Sequence, residues 1–102
     1  MEHQKRLGAD IIIPLDELPS YHTAPDALHR SLQRTHRWEA RSLRRHLEMG
    51  AQQQAMYAVV HGGVDPELRR QSAEYLGALP LERNPSPNPN PNPRTLTVTP
   101  EP

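Results

Sequence analysis

Two short segments hold the residue types best suited to chemistry. Asp16-Glu17 closes one apolar run, and His61-Gly62-Gly63 closes another. A carboxylate fixed at the end of an apolar strand can accept two parallel hydrogen bonds, the geometry offered by a guanidinium or by a guanine edge. Asp16 fits that description, or it is salt-bridged to a nearby basic residue; Glu17 could equally be solvated. His61 could donate one N–H to a ligand oxygen, exchange a proton near neutral pH or ligate a metal, or it could simply bond to a backbone carbonyl. The glycines after it would let a planar ligand come close to backbone. HGG also occurs in esterase oxyanion holes, but the nucleophile elbow those sites need is missing here. His22, His29, His36 and His46 have no spacing that suggests a metal site.

A third feature is charge. Arg30, Arg34, Arg37, Arg41, Arg44 and Arg45 recur at three- and four-residue steps, ending in an adjacent pair, which puts most of them on one helical face. That face is either solvated or a stripe that tracks phosphates. Glu2, Asp10 and Glu39 do not obviously neutralise it. Trp38 lies nearer the apolar stripe and suits packing better than base stacking.

The elements that must position these residues follow from periodicity. Ala9 to Leu15 and Ala55 to Val60 are unbroken apolar runs, the pattern of strands buried on both faces of a parallel sheet. Thr23 and Asp26 have capping-box spacing, and Pro25 suits a first helical turn. A helix is expected from Pro25 to about Glu48, with Leu28, Leu32, Thr35, Trp38 or Glu39, Leu43 and Leu47 inward and Gly50 as its stop. Asp65 reads as the N-cap of a second helix, with Pro66 first and Leu68, Ser72, Tyr75 or Leu76, and Leu79 inward. Strand, helix, strand, helix predicts an α/β fold of two β-strand–α-helix units. In such folds ligands bind at the carboxyl ends of the strands, where both loops fall.

Composition bounds the rest. Of 102 residues, 12 are proline, none is cysteine, and the formal net charge is zero. Global attraction to nucleic acid is therefore not expected, and neither a disulfide nor a thiolate metal site can be built. No run reaches the roughly 20 apolar residues of a membrane span. The polar start, Met1 to Arg6, has no apolar stretch behind it, so the expected compartment is cytoplasmic. Residues 1–80 form the expected folded unit. Residues 81–102, with the repeat NPSPNPNPNPR, have little to bury and form an expected disordered tail. About eighty residues remain for a core, a marginal size for independent folding.

Three blocks, GADIIIPLDELPSY, SLQRTHRWEARSL and AMYAVVHGGVDPELRRQSAEYL, together resemble the tRNA-guanine transglycosylases, or queuine tRNA-ribosyltransferases, over roughly Leu7 to Leu79. The resemblance implies a TIM barrel that exchanges guanine at the tRNA wobble position for queuine or a precursor. It implies double displacement with an aspartate nucleophile. Asp16 would hydrogen-bond the base, and His61, with Gly62 and Gly63, would occupy a base-contacting position where the family commonly carries glutamine. A neutral imidazole offers only one donor there. Leu18 stands where bacterial members tend to carry cysteine.

The family's general-base region, nucleophilic aspartate and Cys₃His zinc site have no match in this chain. The expectation is therefore an internal fragment of a TIM (β/α)8 barrel, holding part of the base-binding pocket and inactive alone, with tRNA and a guanine or queuine base as partners. No catalytic residue, metal ligand or cofactor is expected within it. A protein partner could supply the rest of the barrel. Two other readings stay open: a non-catalytic paralogue or accessory subunit that docks on a full-length enzyme, and a basic RNA-binding helix of other ancestry.

Overall fold

The computed structural model describes residues 1–50 and 53–79. The expected disordered tail lies outside the described residues. In chain order the elements are α1 (Glu2–Leu7), β1 (Ile11–Ile12), α2 (Pro25–Glu48), β2 (Ala55–Met56) and α3 (Pro66–Ala78). β1 and β2 pair in parallel, Ile11 opposite Ala55 and Ile12 opposite Met56, through bonds from Ala55 N–H to Asp10 O and from Tyr57 N–H to Ile12 O.

α2 has the bounds that Pro25 and Gly50 predict. Its start differs in detail. The N-cap is Ala24, without a side-chain cap, and the expected capping box does not form, because Thr23 turns back to Ser20 through both backbone and hydroxyl. At the other end Gly50 takes φ 83°, a left-handed stop. α3 begins as expected: Asp65 Oδ1 accepts from Glu67 and Leu68 N–H at 2.9 and 3.2 Å, and Pro66 needs no partner.

The strands are shorter than their apolar runs, and β1 is not buried on both faces. Ile12 and Pro14 are buried, whereas Ile11, Ile13 and Leu15 are 51, 46 and 69 % exposed. The reason is coverage. Ile12 packs with Leu43 of α2 and with Met56, while nothing among the described residues lies over the opposite face. A second cluster, Ala58, Val60 and Leu76, seats α3, and Leu79 touches both clusters.

α1 was not foreseen, because EHQKRL has no apolar stripe. It docks through polar contacts instead. The Gln4 amide accepts from Ile13 N–H and donates to Ile13 O, at 3.0 and 2.6 Å, as a neighbouring strand would. Gln4 thus occupies backbone groups that a strand edge leaves open. The Lys5 ammonium reaches His46 Nδ1 and Gly50 O, and Glu2 pairs with Arg45.

Candidate base-binding site

The two loops meet. His61 Nε2 lies 3.1 Å from Asp16 Oδ2, so residues 45 positions apart form one pair at the carboxyl ends of β1 and β2. His61 is nearly buried and Asp16 partly so. Both alternatives weighed for Asp16 are therefore present in one arrangement: a carboxylate at the strand mouth that is also partnered by a basic ring.

A buried hydroxyl from the helix layer holds each loop. Thr35 Oγ1 of α2 accepts from Glu17 N–H at 3.0 Å, and Ser72 Oγ of α3 accepts from His61 N–H at the same distance. Thr35 and Ser72 are fully buried. Ser72 Oγ also lies 2.9 Å from His36 Nε2, and the His36 ring stacks on Tyr75 with centroids 4.3 Å apart. The Tyr75 hydroxyl donates back to His36 O. One chain of contacts thus runs from the His61 backbone through Ser72 and His36 to Tyr75, and it couples α2 to α3 at the site. Burial, with a smaller contribution from His61, lowers the His36 pKa to about 4, so its imidazole is neutral.

Glu39 is a further buried polar group under the loops. Its Oε1 accepts from Val59 N–H at 3.2 Å, and its side chain has no exposure. Burial, reinforced by the charge of Asp16 and opposed by the Val59 bond, raises its pKa to about 7. Thr35, Glu39 and Ser72 were legible as inward positions on the helix stripes, but their polar duties were not. His36 lies one position beyond Thr35, and nothing in the periodicity marked it.

Gly62 and Gly63 have φ of 133° and 58°. A Cβ on Gly62 would sit 2.6 Å from Arg69 N and 2.8 Å from Leu68 C, so the close approach this glycine permits is to the backbone of α3. At Gly63 a Cβ would make only ordinary contact with Leu28. A cavity of about 540 Å³ adjoins the loop, lined by Leu18, Leu28, Ser31, His61, Gly63 and Arg69 among others. Asp16 is not part of its wall.

The arginine stripe is exposed on α2, as both readings of it require. It is partly neutralised: Arg34 pairs with Glu17 at 3.1 Å, and Arg45 with Glu2 and Glu48. Glu2, set aside as a neutralising partner from sequence, is therefore one, because α1 folds back onto α2. Trp38 is half-buried. Among the described residues no cluster of three His, Cys, Asp or Glu side chains could hold a metal ion, and no helix is long and apolar enough to cross a membrane. A chain without cysteine does not fit the Cys₃His zinc site that the resemblance implies.

Comparison with known proteins places this geometry in a lineage. The family model described as queuine tRNA-ribosyltransferase matches residues 1–85. The queuine tRNA-ribosyltransferase of Protochlamydia amoebophila is 66 % identical over 79 residues, covering 78 % of this chain and 20 % of that protein. That of Roseiflexus sp. is 50 % identical over 91 residues, covering 80 % and 23 %, and that of Chlamydia muridarum 48 % over 82 residues, covering 80 % and 22 %. The chain spans about a fifth of the length of these curated relatives. With residues 1–85 matched by the family model, and with relatives at such identities over about four-fifths of its length, the chain belongs to the queuine tRNA-ribosyltransferase family.

Proposed function

We propose that this chain supplies two adjacent strand–helix units of a TIM barrel that exchanges guanine for queuine or a precursor in tRNA, and that Asp16 and the His61-Gly62-Gly63 loop form part of its base pocket. The observation that carries the reading is the 3.1 Å approach of His61 to Asp16 at the ends of two parallel strands. An ionised Asp16 accepts the N1–H and 2-amino protons of guanine side by side, and His61 turns its single N–H to the base carbonyl. The buried hydroxyls of Thr35 and Ser72 hold the loops so that little ordering remains to be done on binding.

No residue of this chain is assigned the nucleophile's role, and no step is routed through zinc. The chain therefore contributes recognition, and the remaining units contribute bond cleavage, in the cytoplasm where tRNA is handled. The test is an assay of labelled guanine exchange into tRNA. The chain alone is expected to show no turnover while guanine still shifts the amide resonances of residues 16 and 61–63. Measurable turnover by the chain alone would overturn the division of labour.

A second reading, an accessory subunit that docks on a full-length enzyme, is favoured by the exposed apolar side chains Ile11, Ile13 and Leu15. Co-purification with a full-length family member supports it; a chain that stays monomeric in its presence excludes it.

A further inference from the structure

The hydroxyl of Ser72 has one proton and two lone pairs to place, and no solvent to place them in, because the residue is fully buried on α3. Its Oγ has two hydrogen-bond partners among the described residues, His61 N–H at 3.0 Å and His36 Nε2 at 2.9 Å. A backbone N–H can only donate, so one Ser72 lone pair is committed to His61. Among the described residues the Ser72 proton then has His36 Nε2 as its acceptor. That ring nitrogen is therefore the bare one, and the ring hydrogen sits on Nδ1. In the opposite tautomer Nε2–H and His61 N–H both donate to Ser72, and a buried hydroxyl proton is left unplaced, which is costly. A charged ring has the same fault, and burial keeps His36 from charging.

The His36 ring is held for this task by α3 itself. It lies 9° from parallel with the Tyr75 ring, centroids 4.3 Å apart, and the Tyr75 hydroxyl donates to His36 O at 3.2 Å. The bonds from His61 N–H to Ser72 and from Ser72 O–H to His36 thus run in one direction, and each polarises the next. Without an acceptor at position 36, a helical serine turns its proton to the carbonyl four residues back, here that of Leu68, and its lone pairs turn with it. The His61 N–H then loses its partner, in the loop whose side chain meets Asp16 at 3.1 Å.

We propose that His36 is a positioning residue of the base pocket: as its Nδ1–H tautomer it accepts the Ser72 proton, commits Ser72 Oγ to His61 N–H and so fixes His61 beside Asp16. It acts through Ser72, and its part in guanine recognition rests on the base-pocket reading.

The experiment is NMR on the whole chain. Long-range proton–nitrogen correlation shows which ring nitrogen of His36 carries hydrogen in the parent. Nδ1 is expected, and hydrogen on Nε2 overturns the proposal. Amide exchange at His61, read against Tyr57 N–H in the β1–β2 ladder, tests the consequence. In His36→Leu it should quicken by about tenfold relative to Tyr57, as loss of one hydrogen bond implies. His36→Gln, whose side-chain oxygen restores an acceptor, should return most of that protection. If packing were all that His36 provides, leucine would be the milder change. Protection equal to the parent in His36→Leu, or a glutamine variant no better than leucine, therefore overturns the proposal. The parent's tautomer decides the matter if neither variant folds. Guanine titrated into the same samples should bind His36→Leu about tenfold more weakly than the parent, and equal affinity removes the positioning role. Guanine bound by neither chain sinks the base-pocket reading alone, since tautomer and exchange are read without it.

Discussion

The Asp16–His61 pair offers a sharp comparison at the scale of single residues, because the two candidate ligands of the base also bind each other. Asp16→Asn keeps the shape but turns one acceptor into a donor facing the N–H edge of guanine. Loss of a charge-assisted bond is worth about 1.5–3 kcal/mol, so guanine affinity should fall by at least tenfold, measured by calorimetric or NMR titration. His61→Gln offers the base a donor and an acceptor together, so it should bind guanine at least as tightly as the parent. A variant weaker than the parent would show that the imidazole has a role glutamine cannot fill. Gly62 makes the opposite kind of prediction, one about folding. Gly62→Ala forces a Cβ to within 2.6 Å of Arg69 N at a φ of 133°, so it should destabilise the chain by about 2 kcal/mol or more in urea melts. Gly63→Ala meets only side-chain atoms of Leu28 and should be clearly milder. Equal effects would mean that the packing of α3 against the loop is not what selects glycine at 62.

At the scale of elements, α2 and α3 hold the loops through buried polar groups, and two of those groups give the fold opposed responses to pH. Glu39, raised to about 7 by burial, binds a proton more tightly folded than unfolded. Its contribution is full below its unfolded pKa of 4.5 and is lost as pH rises through about 7. His36, lowered to about 4, works the other way: its contribution is full above 6.5 and is lost as pH falls through about 4. Between about pH 4.5 and 6.5 the two slopes, each on the order of 1 kcal/mol per pH unit, nearly cancel in the parent chain. Glu39→Gln should uncover a stability that rises with pH in that window, and His36→Gln one that falls, in urea melts across a pH series. Flat profiles in both variants would show that neither side chain is desolvated as described. This layer was half legible. Inward spacing picked out Thr35, Glu39 and Ser72, but period alone cannot say which buried polar atom meets which backbone N–H. α1 was invisible for a related reason: every contact that holds it, Gln4 to Ile13, Lys5 to His46 and Glu2 to Arg45, is polar and made with distant sequence.

For the whole molecule, the apolar runs said more than the isolated chain displays. Continuous hydrophobicity in ADIIIPL is the mark of a strand covered twice, and here it is covered once. α2 buries Ile12, while Ile11 and Ile13 face away from it and stay open. In a closed barrel that face would point at the axis and be filled by side chains of the other strands. On the proposed barrel reading, the sequence pattern anticipates that second cover; the chain itself spans about a fifth of the length of its curated relatives. Ile13→Lys separates the possibilities. On the chain alone the substitution lies at an exposed position, so stability should change by no more than about 0.5 kcal/mol. The same change made at the matching position of a full-length family member should bury an unpaired ammonium in the barrel interior, destabilising it by several kcal/mol and abolishing base exchange. Parallel urea melts of the two backgrounds read both effects. If the full-length protein tolerates the lysine as well as this chain does, the exposed face of β1 is a true surface, and the barrel assignment falls with it.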